Sequence, residues 1–302
     1  MSSLRRVYHP ILLSTIAILG TLLIWNIYIN QQYSKQLAIK RPHTHPSMEV
    51  DELYDAIRIF CLIPYNYKNP TAAQYVKRTW GKHCNYLVFV SGNVDAELEP
   101  YVPVVNATDN WTLVHRGLLY AYTYYHDKVD WFLKVEESSF VALENLRYLI
   151  HRKQYKPNEA IYFGYELKDT KTQKPYVYCK SGYVISNEAL RLYAADPDNE
   201  NCEHKVGIRE DLEIVHCLQH AGVASVDSRD EWGKETFLPI HISHQFNEGY
   251  SPWLRNASYH TVDAHTVPIS QSAITFRLDY PPHMFNYYYF VYTVKLFGLP
   301  RP

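Results

Sequence analysis

Two adjacent carboxylates, Glu136 and Glu137, followed by the hydroxyls of Ser138 and Ser139, are the residues best suited to chemistry in this chain. They close a run of strand length from Val129 to Val135. In an open α/β sheet, ligands bind outside the carboxyl ends of the strands. A short acidic cluster there suits a divalent cation held against a diphosphate, because hard cations take one or two carboxylates plus substrate phosphates. The same residues also suit a solvated acidic turn. The elements around them must decide.

Those elements alternate. Ile57 to Ile63 reads as a first strand, and Asn69-Pro70 as an N-cap with proline at the first helical position. A helix from Thr71 to His83 follows, then a buried strand over Tyr86 to Val90 and a long aromatic-rich helix from Trp111 to Tyr125. The strand Trp131 to Val135 leads into a helix over Ala142 to Arg152 and a strand over Ala160 to Tyr165. Gly182 to Ser186 is a further strand, with Ser186 or Asn187 capping a helix through Tyr193. Glu210-Asp211 opens a helix to His220, where acidic residues favour the positive end of the dipole. Tyr287 to Tyr292 suits strand or helix equally. Strands and helices of these lengths predict an α/β fold, with a mostly parallel sheet and helices on both faces.

The 302 residues are enough for one large or two small domains with a buried core. Charges nearly cancel, 30 basic against 31 acidic, so nothing points to nucleic acid. Residues 11–29 are uncharged and largely apolar. About 19 helical residues span the ~30 Å hydrocarbon layer. Arg5 and Arg6 precede them, so the expectation is a cytoplasmic tail (1–10), a single-pass type II signal anchor (11–29) and a lumenal body. No small-x-small cleavage site follows. The polar stretch 30–55, without hydrophobic periodicity, reads as a stem, leaving 56–302 as the body. Three sequons, at Asn106, Asn110 and Asn256, agree with a lumenal body. So do the five cysteines, Cys61, Cys84, Cys179, Cys202 and Cys217, which fit two bridges and one left over.

Asp130-Trp-Phe-Leu-Lys134 with Ile161-Tyr-Phe-Gly164 resembles the core 1 β1,3-galactosyltransferase family. So do Gly182 to Leu190, Asp227-Ser-Arg-Asp230, Gly233-Lys-Glu-Thr-Phe237 and Pro239. The likeness runs from about Arg58 to Leu299. It implies a type II Golgi (or endoplasmic reticulum) membrane protein with a GT-A nucleotide-sugar-binding fold. It further implies Mn²⁺-dependent, inverting transfer of galactose from UDP-galactose to GalNAc on Ser or Thr of a glycoprotein acceptor. By the same resemblance Cys61 pairs with Cys84 and Cys202 with Cys217, and Asp211 is the candidate base.

The chain departs from the family pattern at four stretches. Where active members look to have three consecutive aspartates, this sequence has Glu136, Glu137 and Ser138, so the third, metal-touching position is a neutral hydroxyl. Glu136 and Glu137 are left as candidate metal and donor ligands. A family histidine ligand aligns with Arg277, which cannot coordinate Mn²⁺ and is instead a candidate partner for the diphosphate. Consecutive glycines become Tyr178-Cys179-Lys180-Ser181 before Gly182, and a paired-cysteine element is replaced by Pro268-Ile269. Two readings stay open. One is a core 1 type glycosyltransferase with altered metal use. The other is a non-catalytic relative acting as a chaperone or partner subunit, in a homodimer or heterodimer, for an active galactosyltransferase.

Overall fold

The computed structural model describes residues 20–21, 24–25 and 50–295, except 67, 94, 105–106, 108, 171, 198–209, 248–249 and 262–268. The chain divides into two compact units, Met1–Met48 and Glu49–Pro302. In the first, only Gly20, Thr21, Ile24 and Trp25 are described, as helical residues within the expected anchor. Among the described residues no helix is long and apolar enough to cross a membrane.

The second unit opens with helix α1 (Val50–Ala56), inside the stretch read as stem. Tyr54 explains the difference. Its hydroxyl donates to the Cys84 carbonyl at 3.4 Å, and its carbonyl accepts from the Asn85 amide at 3.1 Å. The Arg147 guanidinium lies 4.6 Å from its ring centroid. A short helix without a long apolar stripe is thus fixed by contacts that its own sequence does not display.

The strands are β1 (Ile59–Pro64), β2 (Tyr86–Ser91), β3 (Tyr101–Pro103), β4 (Trp131–Lys134), β5 (Ser139–Val141), β6 (Ile161–Gly164), β7 (Glu166–Lys168), β8 (Pro175–Val177), β9 (Tyr183–Ser186), β10 (Ala224–Ser225) and β11 (Thr275–Arg277). Seven form one sheet in the order β10-β6-β9-β4-β1-β2-β3. Every pairing in it is parallel except those of β9, which runs antiparallel to both β4 and β6. Each residue of β1, β4, β6 and β9 is buried. Both faces of these strands are therefore covered, which is why they read as continuous apolar runs. Two small ribbons, β5 with β11 and β7 with β8, stand outside the sheet.

The remaining helices are α2 (Thr71–Arg78), α3 (Asn110–Tyr125), α4 (Leu143–Lys153), α5 (Asn187–Ala195), α6 (Glu210–His220), α7 (Ile242–Asn247), α8 (Pro252–Ala257) and α9 (His283–Tyr288). Pro70, not Asn69, holds the N-cap position of α2, and no side chain caps it. At α3 Asp109 accepts from the Thr112 N–H, and at α5 Ser186 accepts from the Ala189 N–H. The carboxyl-terminal aromatic stretch is helical, α9 continuing as a π-turn over Tyr289–Thr293. Tyr292 there donates to Glu144 at 2.5 Å and stacks on His83 at 4.0 Å.

Cys61 and Cys84 form a disulfide, joining β1 to the turn before β2. Cys217 is also disulfide-bonded; its expected partner Cys202 lies outside the described residues. Cys179 is free.

Candidate active site

Strand order locates the site. From β1 the chain moves outward to β2 and β3, then crosses back to place β4 on the other side of β1. The gap between β1 and β4 is therefore the topological switch point, where their carboxyl ends open a crevice. A cavity of about 610 Å³ lies there. Tyr65, Asn66 and Lys68 from the end of β1 line it, with Gly92 after β2, and Asp109, Asn110 and Leu113 at the start of α3. Glu136, Glu137 and Ser138, just past β4, complete the wall. The acidic turn is thus a pocket wall, not a solvated bend. Asn110, one of the sequon residues, stands exposed on the same rim, whereas Asn256 is exposed on α8 and Asn106 lies outside the described residues.

The other end of β4 is pinned by the first residue of the Asp130-to-Lys134 motif. Asp130 accepts from Arg58 Nε at 3.1 Å and Nη2 at 3.0 Å, and from the Arg58 backbone N–H at 2.9 Å. At the carboxyl end Lys134 is fully enclosed, and its ammonium donates to Glu210 Oε2 at 2.7 Å. The Tyr183 hydroxyl, on the neighbouring strand, donates to Glu210 Oε1 at 3.0 Å. Burial works against the Lys134 charge, yet Glu210, Cys179 and Glu136 together outweigh it and the ammonium is held. Glu210 thereby moors the first turn of α6 to the ends of β4 and β9. Its neighbour Asp211, in the same first turn of α6, is fully buried.

Arg277 arrives from a distant part of the sequence. In the ribbon of β5 and β11 it lies opposite Ser139, and the next residue, Leu278, donates its N–H to the Ser138 carbonyl at 2.9 Å. Burial pushes the Tyr178 phenol up, while the Arg277 guanidinium beside it pulls the other way. Cys179 follows in the turn Cys179–Ser181. Burial raises its thiol well above the usual range against the pull of Lys134, with Glu210, Asp211 and Glu136 pushing the same way as burial. Of the side chains that stand in this turn, Cys179 thus feels both Glu136 and Asp211, while Lys180 is exposed. Burial and the neighbouring Glu136 also push the Glu137 carboxyl up, against backbone donors that include Asn66.

A Mn²⁺ ion of the kind implied by the resemblance does not fit these residues. Ser138 offers a neutral oxygen where a carboxylate is needed, and Arg277 adds a positive charge and no lone pair. Among the described residues no group of three or more His, Cys, Asp or Glu side chains is placed to hold a metal ion.

A second polar cluster brings the Asp227–Asp230 and Gly233–Phe237 motifs together with Glu166 and His260, which the sequence did not single out. It sits past the ends of β6 and β10, which run parallel to each other and in the same sense as β4, so it shares the carboxyl edge of the sheet. Glu166 Oε2 meets His260 Nε2 at 2.8 Å, and Ser225 Oγ donates to Glu166 Oε1. Arg229 grips Asp227 through Nε at 3.0 Å and Nη2 at 2.8 Å. Glu235, buried beside them, has its carboxyl pushed up to about 8, chiefly by burial. No local spacing ties Glu166 to His260, so no sequence signal could have joined them.

Comparison with known proteins now decides the family. The chain is 30% identical over 286 residues to "Glycoprotein-N-acetylgalactosamine 3-beta-galactosyltransferase 1" of Xenopus laevis, covering 91% of this chain and 76% of that one. This chain belongs to the glycoprotein-N-acetylgalactosamine 3-β-galactosyltransferase family. The expected GT-A arrangement, with its mostly parallel sheet, is the one described above. No protein-family model matches the chain. Solved glycosyltransferases share only a distant likeness. A galactosyltransferase complexed with donor and acceptor sugar analogues gives a TM-score of 0.38 at 9% identity, over 74% of this chain and 87% of its own. The apo-form glycosyltransferase GlyE of Streptococcus pneumoniae gives 0.39 at 12% identity, over 76% and 60%.

Proposed function

We propose that this chain is a core 1 type glycosyltransferase that moves galactose from UDP-galactose to GalNAc on Ser or Thr of a glycoprotein, in a β1,3 linkage with inversion. The observation that carries this reading is the switch-point cavity walled by Glu136, Glu137 and Ser138, with Arg277 on the strand paired to the next residue, Ser139. The UDP lies in the cavity between Tyr65, Asn66 and Glu136, and Asp211 takes the proton from the attacking acceptor hydroxyl as the UDP departs. The acceptor approaches along the edge from the side of Asp227 and His260. The apolar 11–29 run, the sequons and the disulfides support a type II anchor in the Golgi or endoplasmic reticulum membrane, with residues 56–302 in the lumen.

The test is galactose transfer from UDP-galactose to a GalNAc-bearing peptide by the purified full chain, with the product linkage determined. Removing a general base typically costs about 10²–10⁴-fold, so Asp211→Asn is expected to lose transfer by that factor with an unchanged unfolding midpoint. Transfer at the wild-type rate in that variant would leave Asp211 only its place at the start of α6.

One observation favours a second reading. Asp211 has no exposed surface, and Tyr178 and Cys179 lie near enough to feel its charge. A non-catalytic relative that assists an active galactosyltransferase, as a chaperone or heterodimer subunit, would need no access to that carboxylate. It would show no transfer, yet would co-purify with an active relative and raise its folded yield.

A further inference from the structure

We propose that Arg277, positioned by Tyr178, holds the donor diphosphate directly, with no divalent cation between protein and phosphate. This rests on the reading of the cavity as a nucleotide-sugar site. Three features of the site lead to it.

The first is the fixed register of the acidic turn. The Ser138 carbonyl accepts from Leu278 and Arg277 lies opposite Ser139, so a slide that put Glu137 in the place of Ser138 would break the ribbon of β5 and β11. The hydroxyl therefore stays where a cation would need a carboxylate. The second is charge. Arg277 occupies the strand position next to this turn, where a guanidinium opposes a bound cation and offers a planar fork to phosphate oxygens. Lys134 cannot do this work, because its ammonium is enclosed and committed to Glu210 at 2.7 Å, and Lys68 on the cavity wall offers a point charge rather than a planar fork. The third is orientation. Tyr178 follows β8 directly, and its phenol lies against the Arg277 guanidinium. That contact restrains a long side chain that would otherwise lose rotamer freedom on binding. Tyr178 is thus a positioning residue and Arg277 the binding one.

The experiment is calorimetric titration of UDP into the purified full chain, once with EDTA and once with Mn²⁺. The expected Kd is the same within about twofold in both. A charge-assisted hydrogen bond contributes about 1.5–3 kcal/mol, so Arg277→Ala is expected to weaken UDP at least tenfold, with Arg277→Lys recovering part of the loss. Tyr178→Phe is expected to weaken binding severalfold in the wild-type background and not at all in Arg277→Ala. A merely structural tyrosine would give the same loss in both. The reciprocal variant Ser138→Asp with Arg277→His is expected to acquire Mn²⁺-dependent binding. Tenfold or greater strengthening of wild-type binding by Mn²⁺ overturns the inference and leaves the glycosyltransferase reading standing. So does an Arg277→Ala chain that unfolds at the wild-type temperature and binds UDP undiminished. Absence of UDP binding under both conditions overturns the nucleotide-sugar reading itself.

Discussion

Glu210 and Asp211 are neighbours in sequence and do different work. Glu210 is a mooring, with Lys134 and Tyr183 satisfying its two oxygens. Asp211 is the buried carboxylate next to this mooring, in the same turn of α6. From the sequence the pair was legible as acid at a helix start and, by resemblance, Asp211 as the base, but the mooring by Glu210 was hidden, because the partner lysine lies on a strand far away in the chain. Glu235 was equally opaque, since burial is a property of the fold. Its raised carboxyl, about 8 against an ordinary 4.5, has a consequence with a definite sign. Between those values the folded chain keeps a proton that the unfolded chain has released. Stability from this group is therefore complete below about pH 4.5 and falls as pH rises toward 8, by up to about 1.4 kcal/mol per pH unit. Glu235→Gln cannot ionise and escapes that loss. Chemical denaturation of both chains from pH 5 to pH 8 is expected to show the variant gaining on the wild type with each step. A constant difference across that range would mean that Glu235 ionises like an exposed carboxylate.

Among elements, the strands of the main sheet were largely legible, because each is a short apolar run covered on both faces. Their directions were not. Nothing in Tyr183–Ser186 distinguishes a buried antiparallel strand from a parallel one, and β9 reverses inside the sheet. The β5–β11 ribbon was hidden too, because its strands lie far apart in the chain and are three residues each. The turn entering β9 shows what the reversal demands. Gly182 has φ +79° and ψ 162°, and a Cβ there would come within 3.0 Å of the Lys134 carbonyl and 2.3 Å of Val135 Cγ1. Only glycine occupies that region of backbone space at low cost, and the strain for other residues is about 1–3 kcal/mol before any clash. Gly182→Ala is accordingly expected to lower stability by at least that amount, read from urea unfolding. A variant as stable as the wild type would mean that the approach of β9 to β4 is looser than described. One residue earlier, the Ser181 hydroxyl is buried with no hydrogen-bond partner. This is consistent with a turn whose side chains occupy space that glycines leave open in relatives.

At the scale of the whole molecule, one sheet edge gathers everything that the chain could use for transfer. The switch-point cavity lies at β1 and β4, Arg277 beside the acidic turn, and the Glu166–Asp227–His260 cluster at β6 and β10. Family motifs marked most of these segments, but their order along the edge came only from the topology. The Cys61–Cys84 bridge clamps β1, the strand that leads into the cavity-lining Tyr65 and Asn66, and α1 is tied to the Cys84 side of that bridge through Tyr54. The central claim is that this edge is a nucleotide-sugar site. The measurement that tests it most directly is a crystal structure of the chain grown with UDP. The account predicts the diphosphate at the carboxyl ends of β1 and β4, within hydrogen-bonding distance of Arg277 and walled by Asn66 and Glu136. A structure in which saturating UDP leaves that cavity empty, or binds elsewhere, would contradict it.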